Sequence, residues 1–435
     1  MVRTMTDLPK NRSVALAVFQ AVLRDSRPLD EQADALSQAL ESRDRAFVRM
    51  LVATTLRRLG QIDLVINQCL DKPMPSKLAT VRDVLRLGAA QLLFLETPVH
   101  AVVDTSVELV KRGRFAPYAG LTNAVLRRIS RDGSRISDSV DAPRFNTPKW
   151  LWQNWSKTWG EETARQIGLA HLSEAPLDIT LRPDQDQAVW AERLEATVLP
   201  FDTLRRTMGG NVADLPGFNE GQWWIQDAAA SLPARLLGDV RDKTIIDLCA
   251  APGGKTMQLA SAGATVTAVD RSARRLRRVA SNLERLGLSA TLVDADATQW
   301  KPETLVDGVL LDAPCSATGT IRRHPDVARH KRPDDVQNLV ATQTELLRAA
   351  VDMVRPGGLV VYCTCSLQKA EGEERVAHAL SAGLPVEGVP VTAQEIGGLS
   401  ALITPEGWLR TMPFHNSENG GMDGFFAARL RKLEA

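Results

Sequence analysis

Apolar residues recur every three or four positions through the first third of the chain. Val14, Val18, Val22 and Leu23 form one stripe, Phe47, Leu51, Leu56 and Leu59 a second, Val84, Leu85, Leu87 and Leu92 a third, and Leu121, Val125, Leu126 and Ile129 a fourth. That period predicts amphipathic helices. Breaks at KPMPS (72–76) and ETP (96–98) separate them, and the expectation for residues 1–135 is an all-α bundle forming its own domain.

The texture changes after RDGSRISDSVDAPRFNTP. Trp150, Trp152, Trp155 and Trp159 fall on a short amphipathic segment, and their spacing fits a packing stripe better than a base-stacking platform. PLDITLRP (176–183), the segments out to GGNVADLPGF (209–218) and a helix through QDAAASLPARLL (226–237) make residues 136–240 a set of linker helices and a small α/β module. From 241 to 435 short β-branched runs alternate with helical stretches. TIIDLC, TVTAVD, SATLVD, DGVLLD and GLVVYC read as strands; a helix from Ser272 to about Leu286 and another through Leu339, Leu347, Val351 and Val354 lie between them. Alternation of this kind predicts a doubly wound, parallel Rossmann-like sheet covered on both faces.

Composition narrows the class. Hydrophobic residues make up 44% and charged residues 24% of the 435, the balance of a globular protein. The opening MVRTMTDLPK lacks a leader's apolar core, and no run approaches the roughly 18 apolar residues of a membrane span. The expectation is a cytoplasmic monomer with no membrane partner. Net charge is only +1, but basic residues clump at KRGR (111–114), RR (127–128), RSARRLRR (271–278) and between 321 and 332. Together the clumps favour a nucleic-acid partner, although each singly fits a solvated helix face. Five cysteines without CxxC spacing and six scattered histidines suggest neither disulfides nor a metal site.

Candidate chemistry sits at strand ends. DLCAAPGGKT (247–256) follows the first Rossmann strand, and Gly253 and Gly254 allow close approach of a ligand where such sheets bind nucleotides. It is neither the triple-glycine dinucleotide fingerprint nor a phosphate loop. Asp270, about twenty residues on, is placed for ribose hydroxyls. Asp296 is placed for the adenine edge, with Asp294 as fallback, and Asp312 ends the fourth strand. Acids at successive strand ends point to S-adenosyl-L-methionine rather than NAD.

Two thiols follow neighbouring strands: Cys315 in LLDAPCSATGTIRRHPD and Cys365 in VVYCTCSLQ. Carbon 5 of cytosine is a poor nucleophile, and thiolate addition at carbon 6 makes it enamine-like. Asp312 is placed to contact the ring nitrogen of such an adduct. Cys69 and Cys363 read as packing residues, although strand alternation puts Cys363 on the face of Cys365. Spacing does not decide which thiol attacks.

These motifs resemble the bacterial RNA cytosine-C5 methyltransferase family, and LTNAVLRRI (121–129) resembles the last helix of NusB-like domains. The three-part layout is similar to the RsmB (Sun/Fmu) group, whose substrate is small-subunit ribosomal RNA. The resemblance implies that Cys365 attacks, that Cys315 assists release, and that Cys249, Ala250, Ala251, Pro252, Gly253, Gly254, Lys255, Asp270, Asp296 and Asp312 form the S-adenosyl-L-methionine site. It implies 16S ribosomal RNA, free or in an assembling small subunit, as partner. Ala317 stands where many members have glycine. Rival readings are a dehydrogenase on the same fold, a non-enzymatic RNA-binding or ribosome-assembly factor, and the same chemistry on transfer RNA.

Overall fold

The computed structural model describes residues 10–200, 202–207 and 210–434. The opening residues that carry the reading against a leader, and Gly209 of GGNVADLPGF, lie outside these. By compactness the chain forms two units: one takes the chain up to Ser173 together with Ile321–Lys331, the other Glu174–Thr320 and the chain from Arg332 onward.

The first unit is helical, with helices Lys10–Asp25, Leu29–Ser37, Ser42–Arg57, Leu59–Gln68, Ala79–Phe94, Val99–Lys111 and Ala119–Asp138, then Ala142–Asn146, Lys149–Trp159 and Glu161–Ala170. The predicted stripes form its core: Val18, Val22, Leu51, Leu56, Leu85, Val125, Leu126 and Ile129 are buried together. Leu121 is the exception. It lies in the first turn of its helix and stays 36% exposed. Of the four tryptophans read as a packing stripe, Trp152 and Trp155 are buried, while Trp150 and Trp159 are half-buried.

Ile321–Lys331 corrects one expectation. Its basic residues read as a phosphate-binding patch or a solvated face, yet Arg322 is only 2% exposed. Arg329 donates to the carbonyls of Leu56 (3.2 Å) and Asn146 (2.8 Å), and His330 Nε2 lies 2.8 Å from the Val22 carbonyl. Arg57 donates to the Arg322 carbonyl at 2.8 Å, and Asp326 accepts from the Leu29 amide at 3.1 Å. The segment thus serves helix ends, whose last carbonyls and first amides lack partners within the helix. The other clumps do face solvent, including Arg112, Arg114, Arg127, Arg271, Arg277 and Arg278.

The second unit holds two sheets. Strands β1 (Leu177–Leu181), β2 (Thr197–Val198), β3 (Thr203–Arg206) and β4 (Trp223–Ile225) form the smaller, in the order β2-β3-β1-β4. Arg205 and Asp178, each with its side chain 2% exposed, pair through two 2.7 Å contacts, and Arg205 also donates to the Gly421 carbonyl. The larger sheet contains β5 (Thr244–Leu248), β6 (Thr265–Asp270), β7 (Thr291–Asp294), β8 (Val306–Asp312), β9 (Val354–Thr364), β10 (Val386–Val389), β11 (Leu409–Thr411) and β12 (Phe425–Lys432). Its order is β10-β12-β9-β8-β5-β6-β7, with β11 against β12.

Strands β5 to β9 are parallel, as alternation predicts. Beyond β9 the sheet is antiparallel, because β12 enters against β9 and β10 and β11 pair with β12. Val354 begins β9 rather than ending the preceding helix, Pro333–Met353. Along β8 and β9 the side chains alternate between two cores. Val309, Leu311, Val360 and Tyr362 pack with Leu346, Leu347 and Val351; Leu310, Val361 and Cys363 pack with Leu232 and Leu259. That alternation puts Cys363 and Cys365 against the same core. Among the described residues no helix is long and apolar enough to cross a membrane.

Candidate active site

Chain order reverses at β5, running to β6 and β7 on one side and then to β8 and β9 on the other. The carboxyl ends of β5 and β8 therefore flank a switch point, where open α/β sheets hold their ligands. After β5 the backbone turns sharply: Cys249 takes φ +61° and Gly253 φ +106°. A Cβ at Gly253 would lie 3.0 Å from Val279 Cγ1, so glycine lets the loop settle against the helix Ala273–Leu286. Gly254 then opens the helix Gly254–Ser261.

Asp270 clasps this loop. Its Oδ2 accepts from the Ala251 amide and lies beside Arg275 Nη1, both at 3.2 Å, and its Oδ1 accepts from the Ser272 amide at 3.1 Å. Each oxygen keeps acceptor capacity, since a carboxylate offers about four lone-pair sites. Asp247 is buried; its Oδ2 accepts from Thr256 Oγ1 at 2.6 Å, its Oδ1 has no partner, and burial pushes its carboxyl up to about 7. Burial, then Asp312, Asp270 and Asp247, push the Cys249 thiol up to about 12. Cys249 is thus a neutral wall of the site.

Lys255 Nζ donates to Asp312 Oδ2 at 2.7 Å and stands 4.9 Å from the centre of the Phe425 ring. Burial is the largest influence and opposes its charge, but Asp312, Cys363 and Asp247 together outweigh it and hold the ammonium above its ordinary pKa. Asp296 is exposed, and hydrogen bonds from the Thr298 amide (2.9 Å) and hydroxyl (2.7 Å) hold its carboxyl below the usual range. Arg271 is the charged neighbour acting on it. The structure therefore gathers Cys249, Lys255, Asp270 and Asp312 closely, with Asp296 farther along the strand ends. The set fits a nucleoside with a cationic tail: acceptors at neighbouring strand ends, an orphaned buried oxygen on Asp247, and a loop whose glycine a Cβ would crowd.

The thiols meet. Cys315 Sγ and Cys365 Sγ are 3.5 Å apart, each partly exposed. Two backbone bonds align their turns, from the Ala313 amide to the Cys363 carbonyl (2.9 Å) and from the Gly319 amide to the Cys365 carbonyl (3.0 Å). The hydrogen bond with Cys365, then burial, push the Cys315 thiol well above its ordinary pKa. Cys363 is fully buried and donates to Asp312 Oδ1 at 3.8 Å, so it packs and orients Asp312. Cys69 lies in the helical core.

Sequence patterns missed the group behind these turns. Glu371, fully buried, accepts from Ser316 and Ser366, the residues that follow the two cysteines, and from Gln343. In the run KAEGEE it looks like one acid of a solvated face, and no spacing marks it out. A partly open pocket lined by Arg57, Trp155, His171 and Arg329 among others belongs to the helical unit; none of the predicted site residues lines it.

Comparison with known proteins bears on the family and the fold. The sequence model of the 16S rRNA methyltransferase RsmB/F family matches residues 234–431, and that of the NusB family residues 9–131. The chain is 32% identical to Ribosomal RNA small subunit methyltransferase B of Cronobacter sakazakii, over 97% of this chain and 98% of that one. It is 36% identical to the protein of the same name from Xylella fastidiosa, over 96% and 99%. A crystal structure of a methyltransferase homolog protein from Pyrococcus horikoshii superposes with a TM-score of 0.56 at 26% identity, over 67% of this chain and 98% of that one. The fold is a NusB-type helical domain with a Rossmann-like methyltransferase domain, and S-adenosyl-L-methionine is the cofactor. A chain this similar along nearly its whole length to those relatives, with an acid-lined switch point and two thiols in contact, belongs to the ribosomal RNA small subunit methyltransferase B family.

Proposed function

We propose that this protein methylates carbon 5 of a cytosine in small-subunit ribosomal RNA by a two-thiol covalent route. The observation that carries the reading is the 3.5 Å contact between Cys315 and Cys365 at the ends of adjacent parallel strands. S-adenosyl-L-methionine, when bound, supplies the sulfonium methyl that the activated carbon takes up. Asp270 would hold its ribose hydroxyls, Asp296 its adenine edge, and the loop Cys249–Lys255 its amino-acid end.

Cys365 acts as the thiolate and forms a bond to carbon 6, which turns carbon 5 into a nucleophile. Only a few per cent of an ordinary thiol is ionised at neutral pH, so the thiolate needs a donor beside it. Cys315, held protonated, supplies one at 3.5 Å. Asp312, whose Oδ2 pairs with Lys255 Nζ at 2.7 Å, takes a hydrogen bond from the protonated ring nitrogen of the adduct. After methylation the carbon 5 proton leaves to a base, its electrons reform the ring double bond, and the bond to carbon 6 breaks with Cys365 departing as thiolate. The Cys315 S–H stabilises that leaving group, which is its part in release. The target base must be unstacked to reach the thiols, and the exposed arginines and lysines of the helical unit supply phosphate contacts.

The test is incubation with labelled S-adenosyl-L-methionine and unmodified small-subunit ribosomal RNA, with nucleosides identified by mass spectrometry. The expected product is 5-methylcytidine, absent with Cys365→Ala, while Cys315→Ala accumulates a protein–RNA adduct. Label confined to transfer RNA would overturn the substrate; label on another base would overturn the thiol chemistry.

A further inference from the structure

Cys315 and Cys365 belong to turns from two different strands, and their contact requires both turns to be held. Glu371 does this from the short 3₁₀ turn Lys369–Glu371. Its Oε1 accepts from the Ser316 amide at 2.8 Å and from Gln343 Nε2 at 3.1 Å; its Oε2 accepts from Ser316 Oγ at 2.5 Å and Ser366 Oγ at 2.6 Å. One carboxylate therefore takes a hydroxyl from the residue after each cysteine. Gln343 also donates to the Pro314 carbonyl at 2.9 Å, so the residue before Cys315 is tied in as well. Ser366 Oγ in turn accepts from the Gln368 amide at 3.0 Å, and Tyr362 donates to the Glu371 carbonyl at 2.7 Å.

A core built only for stability has no need of this arrangement. Burying a carboxylate among neutral donors carries a desolvation cost that well-packed apolar residues avoid. The hydrogen bonds to the Glu371 carboxylate come from the neutral groups of Ser316, Gln343 and Ser366. What the carboxylate provides is geometry and charge at one place: four fixed donors set the two turns, and its negative charge adds to the causes that keep Cys315 protonated, after the Cys365 contact and burial.

We propose that Glu371 is a positioning residue for the two-thiol reaction, fixing through Ser316 and Ser366 the separation at which the Cys315 S–H can donate to the Cys365 thiolate. This rests on the mechanism proposed above. Without the clamp the two turns part, the leaving thiolate loses its donor, and the covalent adduct is released slowly. Positional errors of about 1 Å cost on the order of a hundredfold in rate.

The experiment compares wild type, Glu371→Gln, Glu371→Asp and Ser366→Ala in the full chain. Single-turnover methylation, adduct on denaturing gels, and donor and RNA affinity are measured together. Glu371→Gln is expected to lose about a hundredfold in rate and to accumulate adduct, with affinities for donor and RNA within about threefold. Glu371→Asp should recover part of the rate, and Ser366→Ala, which keeps the carboxylate, should show the same signs more weakly. A second readout does not depend on turnover: alkylation by iodoacetamide, followed peptide by peptide from pH 6 to 10. In Glu371→Gln the midpoint for Cys315 should move down while that of Cys69 stays. Wild-type rates without adduct in Glu371→Gln, or an unmoved Cys315 midpoint, overturn the proposal. If wild type itself makes no 5-methylcytidine but the Cys315 midpoint still moves, the mechanism fails and the clamp stands.

Discussion

Acid should loosen the helical unit through His171, and the size of the effect follows from its surroundings. His171 is buried, its Nε2 has no partner, and its ring stacks at a tilt against Trp155 with centroids 5.6 Å apart. Burial, then the nearby charges of Arg322 and Arg57, lower its pKa from 6.5 to about 3. Below pH 6.5 the unfolded chain therefore binds the proton and the folded chain does not. The stability is intact above 6.5 and is lost as pH falls toward 3. Between pH 7 and pH 5 about 1.5 pH units of that window are crossed, which at about 1.4 kcal/mol per unit costs about 2 kcal/mol. The assay is amide hydrogen exchange of the full chain at pH 5, 6 and 7, corrected for intrinsic rates and read on peptides from Lys149–Trp159 and Glu161–Ala170. His171→Leu cannot titrate. It should be less stable than wild type at pH 7, through lost packing, yet should lose about 2 kcal/mol less on going to pH 5. Equal acid losses in wild type and variant would refute the reasoning.

Four further outcomes follow from the same geometry. Gly253→Ala places a Cβ at φ +106°, 3.0 Å from Val279; it should cost about 1–2 kcal/mol and weaken methyl-donor binding, measured by calorimetry, while RNA affinity holds. Gly319→Ala would put a Cβ 1.8 Å from the Gly424 carbonyl oxygen, on the turn whose amide bonds to Cys365, so single-turnover methylation should fall by at least about tenfold. Arg205→Met leaves Asp178 buried without its partner and should destabilise the second unit by about 3–5 kcal/mol in urea titration, with Asp178→Asn in the same chain restoring part. RNA affinity should fall linearly with salt on a log–log plot, and Arg127→Ala with Arg128→Ala should flatten the slope; filter binding that ignores salt would count against the phosphate contacts.

The local rules worked where one element decides its own shape. The 3.6 period placed Val18, Leu51, Leu85 and Leu126 in one core, and the strand-end acids and both PCS and TCS turns stand where β-branched runs followed by turns put them. Leu121 departed: it lies in the first turn of its helix and stays exposed. The antiparallel half of the large sheet escaped because pairing direction depends on which edge a late strand finds, and β12 finds β9.

By itself the sequence determined the elements, their order and the chemical groups at strand ends, since periodicity and turn residues act over a few positions along the chain. Only the tertiary structure decided what those groups do to each other. Arg329 in RRHPDVARHK turns inward because helix-end carbonyls await donors, Lys255 finds Asp312 fifty-seven residues away, and Glu371 joins two turns that share no local signal. Hydrogen bonds and charge pairs between distant residues depend on distances of a few ångströms that only the packed sheet sets.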